Sequence, residues 1–166
     1  MYHPAPAPRL YALIAAMALM SLAVALFSQH QLGMRPCAWC VFQRLLLIAL
    51  FAVALIAALI AQRHAWAGRV AGVLALLLSL GGILSAWYQY TVAAQQFSCA
   101  QTFADRFMSA SGLDAALPWL FGIYATCMDA RINFLGLEYA LWALGLFVLT
   151  SLLGLLALWR SRNHHP

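Results

Sequence analysis

The chain has 166 residues, of which 66% are hydrophobic and 8% charged, whereas soluble domains average roughly 45–50% apolar and about 25% charged residues. A chain this short has no water-soluble way to hide so much apolar surface, which excludes an ordinary soluble domain and leaves an integral membrane protein. The net charge of +5 comes from nine arginines, with no lysine; they are scattered rather than gathered into a basic stripe with interleaved aromatics, which excludes a nucleic-acid-binding face.

The first apolar run, residues 10–28 (LYALIAAMALMSLAVALFS), has only Arg9 ahead of it as a charged residue. It is longer than the roughly 7–15 residues of a signal-peptide core, so it reads as an uncleaved first span. A short loop at residues 29–40 carries RPCAWC and leads into the second run, residues 41–61. The turn QRHAWAGR, residues 62–69, precedes the third run at residues 70–88. A long loop, residues 89–138, comes before the fourth run at residues 139–159 and a tail at residues 160–166. Each run is near the ~20 residues that a helix rising ~1.5 Å per residue needs to cross ~30 Å of hydrocarbon. The runs are rich in Leu and Ala and show no two-residue alternation, so helices are expected; in lipid a helix also satisfies its own backbone groups. The expected fold is an all-α membrane protein, a single four-helix transmembrane bundle over residues 1–166.

Four spans put both termini on one side. That side carries Arg9, Arg63, Arg69, Arg160 and Arg162 and no acid, while the other carries Arg35, Arg44, Arg106 and Arg131 with all four acids. The arginine bias and the short turn at residues 62–69 place the termini in the cytoplasm. All four cysteines then share the opposite face: Cys37 and Cys40 at the mouth of the second span, Cys99 and Cys127 in the long loop. If that face is the bacterial periplasm, it is an oxidising compartment. The long loop also contains AALPWLFGIY, residues 115–124, which is far too short to span. Trp119, Phe121 and Tyr124 are aromatics that favour the membrane–water boundary, so a short interfacial helix is expected there.

Four cysteines confined to one face are hard to read as four buried apolar residues. A structural zinc site favours a second short-spaced pair, yet Cys99 and Cys127 are separated by 27 residues. A bridge between Cys37 and Cys40 closes so small a loop that it restrains the unfolded chain little. A Cys-x-x-Cys is better suited to being opened and closed. Cys40 sits at the start of a long helix, where unpaired N–H groups and the positive dipole end favour a thiolate. Arg44 follows one helical turn later on the same face. An arginine one turn into a span is costly and marks a functional position, with snorkelling to the interface as the alternative. Its guanidinium can favour the Cys40 thiolate, or donate to a carbonyl oxygen of a lipid-soluble acceptor. The dithiol would then stand where electrons can leave into the membrane.

These residues resemble the DsbB family of bacterial inner-membrane disulfide bond formation proteins. The resemblance covers nearly the whole chain. Its most specific parts are PCAWCVFQR, Pro36 to Arg44, and the block from Cys127 to Trp142 that contains NFLGLEYALW; Gln29–His30 and ALPWL, Ala116 to Leu120, add to it. The resemblance implies a membrane thiol:quinone oxidoreductase that reoxidises a periplasmic thioredoxin-like oxidant of the DsbA type. It implies redox pairs Cys37–Cys40 and Cys99–Cys127, with the reduced partner attacking Cys99, the freed Cys127 attacking Cys37, and Cys40 passing electrons to a quinone (ubiquinone or menaquinone) beside Arg44. No metal is implied.

Two positions depart from the family pattern. Many members carry a histidine near the outer end of the third span, where this chain reads WYQYT and Tyr90 is the nearest candidate; a tryptophan is common five residues after the last cysteine, where this chain has Ile132. His30 reads equally as a solvated loop residue, Asp129 and Glu138 as interfacial residues without a catalytic role, and Gly68 with Gly72 as a packing motif. Two rival readings stand beside the oxidoreductase: a non-catalytic membrane subunit with structural or metal-binding cysteines, and an enzyme resembling vitamin K epoxide reductase.

Overall fold

The computed structural model describes residues 6–61, 64–95 and 101–163, so the expectation for Cys99 lies outside the described residues. Helix α1 spans Pro6–Gln31, α2 Ala38–Ile60 and α3 Ala65–Thr91, followed by a single 3-10 turn at Ala93–Gln95. The long loop then forms α4 (Phe103–Ser111), α5 (Leu113–Ala116) and α6 (Pro118–Phe121). A two-stranded hairpin of β1 (Asn133–Phe134) and β2 (Leu137–Glu138) leads into α7 (Tyr139–Asn163). Helices α1, α2, α3 and α7 each contain a segment long and apolar enough to cross a membrane. The 23 residues of α2 alone reach about 35 Å at ~1.5 Å per residue.

The helices overrun the apolar runs. α1 continues to Gln31, and α2 begins at Ala38, which moves Cys40 out of the loop and into the first helical turn. Apolarity marks where a helix meets lipid, whereas its hydrogen-bond ladder continues through polar residues until a turn ends it. At the end of α1 that turn is Gly33, with φ +67°, where the Met34 N–H closes back on the Ser28 carbonyl at 3.1 Å.

The four long helices form a ring in the order α1, α2, α3, α7, with α7 returning against α1. Alanine dominates the centre: Ala15, Ala18, Ala54, Ala57, Ala75 and Ala157 are buried beside Tyr11, Leu50 and Phe147. Lipid tails are as apolar as leucine, so helices gain by close packing of small residues rather than by hiding large ones. The large side chains accordingly point outward, among them Leu19, Leu55, Leu59, Leu77, Leu84 and Leu152. Gly72 and Gly82 mark the closest approaches. A Cβ on Gly72 would lie 2.3 Å from the Tyr11 hydroxyl, and one on Gly82 would lie 2.2 Å from the Phe147 ring. The Tyr11 hydroxyl donates to the Gly68 carbonyl at 3.1 Å, so the Gly68–Gly72 motif serves packing. Deeper in the bundle the Ser79 and Thr150 hydroxyls hydrogen-bond at 3.1 Å.

The loop folds down onto the head of α2. α4 starts with a capping box: the Thr102 hydroxyl accepts from the Asp105 N–H, and the Asp105 carboxylate accepts from the Thr102 N–H at 2.8 Å. Its Met108 is buried with Val41 and Phe121. The apolar stretch at residues 115–124 yields the single helical turn α6, set off from α5 at Leu117 because Pro118 starts a new turn. Of the three aromatics expected at the boundary, Trp119 and Tyr124 are more than half exposed, whereas Phe121 is 4% exposed and belongs to the packing beneath the loop.

Candidate functional site

The site is built on the first turn of α2. Cys37 is the N-cap residue, with extended backbone and no side-chain cap, so the first N–H groups of the helix are left for the Cys-x-x-Cys segment. Cys37 Sγ and Cys40 Sγ stand 3.3 Å apart in hydrogen-bond contact. Cys37 is 1% exposed and is buried with Ala38, Trp39, Ala93 and Ala104, with Cys40 and Cys127 packed against the same cluster. Contacts of its sulfur with Cys127 and then with Cys40, together with burial, hold the Cys37 thiol well above its ordinary value.

Cys127 arrives from the long loop on a turn with its own lock. The Thr126 hydroxyl donates to the Asp129 carboxylate at 2.7 Å and accepts from the Asp129 N–H at 3.2 Å, while the Ala130 N–H closes on the Thr126 carbonyl. Asp129 therefore shapes the turn that carries Cys127. Glu138 pairs with Arg131 across the foot of the hairpin. Upstream, the Tyr124 N–H donates to the Pro36 carbonyl at 3.0 Å, pinning the loop to the residue before Cys37.

Arg44 is 5% exposed. Its guanidinium does not snorkel to the surface. Nη1 donates to the Gln29 side-chain oxygen and to the Leu120 carbonyl at 2.9 Å, and Nη2 to the Ala25 carbonyl at 3.4 Å. One cation thus ties α1, α2 and α6 together using neutral acceptors, with no acid among these partners. A shallow hollow, open on one side, lies beside it, lined by Cys40, Arg44, Gln29, Ser28, Ile132 and Tyr139 among others. A mainly apolar wall with a few convergent polar groups is the usual make-up of a ligand cleft.

Two glutamines also touch this site, Gln43 within PCAWCVFQR and Gln89 within WYQYT, and neither charge nor periodicity marks them. Gln89 donates from Nε2 to Cys40 Sγ at 3.1 Å, and Gln43 donates from Nε2 to Gln89 Oε1 at 2.7 Å. From the third span Gln89 reaches Cys40, because α3 turns position 89 inward, with Tyr90 half-buried beside it. Ile132 does line the hollow. His30, read equally as a solvated residue, is exposed but hydrogen-bonds through Nε2 to the Trp119 carbonyl at 2.9 Å, strapping the end of α1 to α6.

Comparison with known proteins meets this geometry. A family model described as "Disulfide bond formation protein DsbB" matches residues 7–157. The chain is 35% identical over 133 residues to Disulfide bond formation protein B 2 of Pseudomonas aeruginosa, covering 78% of each. It is 32% identical over 157 residues to Disulfide bond formation protein B of Herminiimonas arsenicoxydans, covering 94% of this chain and 97% of that one. A protein of the same name from a Polaromonas species is 32% identical over 165 residues, covering 96% and 95%. With four membrane-length helices and a match that runs through nearly all of them, the chain belongs to the DsbB family of disulfide bond formation proteins.

Proposed function

We propose that this membrane protein is a thiol:quinone oxidoreductase that reoxidises a periplasmic, DsbA-like thioredoxin-fold dithiol oxidant. The observation that carries the reading is the convergence of Cys37, Cys40 and Cys127 at the head of α2, next to a hollow walled by Cys40 and Arg44. In this reading the protein lies in the bacterial inner membrane with both termini cytoplasmic and all four cysteines periplasmic.

The exchanges conserve atoms and electrons. A thiolate of the reduced partner attacks Cys99, the Cys99–Cys127 bond breaks, and Cys127 leaves with the electron pair. The partner's second thiol displaces Cys99 and closes the partner's disulfide. Cys127 then attacks Cys37, and the Cys37–Cys40 bond breaks with its pair on Cys40. Cys99 displaces Cys37 and restores the first bridge. Each step is thiolate attack on a disulfide sulfur.

Closing Cys37–Cys40 again releases two electrons and two protons, which a quinone takes up when bound. The hollow suits such a group: Arg44 and Gln29 offer donors for a carbonyl oxygen, while Ala25, Pro36 and Ile132 supply apolar wall.

The test is trapping. A partner variant that keeps its attacking cysteine but lacks the second, resolving one should accumulate as a mixed disulfide with this protein on a non-reducing gel, and Cys99→Ala should abolish it. Purified protein should reduce quinone when given a reduced thioredoxin-like donor. A non-catalytic subunit whose cysteines brace the loops or bind metal predicts neither result, and either absence would overturn the reading.

A further inference from the structure

Gln43 and Gln89 are carboxamides from different helices, each 6% exposed, that meet beside Cys40. A carboxamide has two unlike ends of nearly equal size: its oxygen only accepts and its nitrogen only donates. The end that faces a sulfur selects that sulfur's protonation state. An N–H aimed at sulfur matches a thiolate, and a carbonyl oxygen matches an S–H. With Gln43 Nε2 donating to Gln89 Oε1 at 2.7 Å, the oxygen is occupied away from the sulfur, and Nε2 is left for Cys40 at 3.1 Å. Burial removes the alternative of water partners, so the two contacts stand or fall together.

We propose that Gln89 is the residue that receives the negative charge of Cys40, and that Gln43 is a positioning residue that fixes which end of the Gln89 amide the sulfur meets. When a thiolate attacks Cys37 and the Cys37–Cys40 bond breaks, the electron pair departs on Cys40. The Gln89 N–H already points at the atom where that charge develops, so no dipole has to reorient. When Cys40 bonds to Cys37 again, the pair is given up to the quinone and the contact weakens. This consequence rests on the function proposed above, whereas the amide geometry does not.

The experiment follows alkylation of Cys40 by iodoacetamide in the reduced, detergent-solubilised full chain, read by peptide mass spectrometry at pH 7 and pH 10. The ratio of the two rates reports the thiolate fraction at neutral pH. Gln89→Leu should lower the ratio about tenfold or more, the scale of a hydrogen bond to a charged group. Gln43→Met should lower it by less, because the amide is freed to turn but is still present. In the double variant the ratio should equal that of Gln89→Leu alone, since Gln43 acts only through Gln89. A structural role for Gln43 would instead add its full effect in both backgrounds, and that result would overturn the positioning assignment. An unchanged ratio in Gln89→Leu would overturn the whole inference. Should the leucine variant fail to fold, Gln89→Glu keeps the size and can still accept from Gln43; it must lower the ratio at least as far. Because the readout uses neither quinone nor thiol partner, its failure is distinct from failure of the electron path.

Discussion

In the proposed reaction, Arg44→Ala should separate the quinone side of the site from the thiol-partner side. The guanidinium commits Nη1 to Gln29 and to the Leu120 carbonyl, while its Nη2 contact with the Ala25 carbonyl is long at 3.4 Å. Nη2 is therefore the donor most free to meet a carbonyl oxygen in the adjoining hollow. One hydrogen bond from a charged group is worth about 1.5–3 kcal/mol, so its loss should raise the quinone KM roughly ten- to hundredfold. The same truncation releases the Leu120 carbonyl, loosening α6. Disulfide exchange with the partner should change far less, because the Tyr124–Pro36 and His30–Trp119 contacts hold the loop independently. Arg44→Lys keeps a charge but cannot reproduce the planar fork, so its quinone KM should fall between the two. The assay is steady-state quinone reduction, varying quinone and reduced donor separately. A quinone KM unchanged in a folded Arg44→Ala protein, or equal losses on both sides, would refute the argument and leave Arg44 as a strut between helices.

Two further outcomes follow from the packing and from the Cys37 thiol. Gly82→Ala should lower thermal stability by about 1–3 kcal/mol through overpacking against the fully buried Phe147 ring; Gly81→Ala, which meets nothing within 4 Å, should be neutral or mildly stabilising because alanine favours helix over glycine, and equal effects at both positions would refute the contact. The folded state holds the Cys37 proton more tightly than an ordinary thiol, so its contribution to stability is fully present below about pH 8.5, the unfolded value, and is lost as pH rises toward the folded one. In the reduced protein, Tm should therefore decline on the alkaline limb, and Cys37→Ala should flatten that limb; an unchanged slope would remove the thiol as its source.

Much of this protein is legible along the chain. A span must be about 20 apolar residues because hydrocarbon offers no partner for a backbone group, so four runs give four membrane helices with no tertiary information. Cys37, Cys40 and Arg44 can be related by spacing alone, since residues three and four apart share a helical face. Cys127 is visible as a cysteine on the same side of the membrane, and the family resemblance links it to Cys37.

Spacing says which residues share a face but not which neighbouring element that face meets. The Gln89 contact with Cys40 bridges 49 positions and the Leu120 contact with Arg44 bridges 76, and no periodicity encodes either. A glutamine near a helix end reads as an ordinary polar residue until packing denies it water and leaves it, among the described residues, only Gln43 and Cys40 as side-chain partners. Arginine in a span can reach the interface or turn inward, and only the placement of Gln29 and α6 turns it inward here. Chain composition and its apolar runs thus determined the membrane and the number of crossings. The packing of α3 against α2, and of the long loop over the head of α2, decided which polar groups close around the Cys40 sulfur.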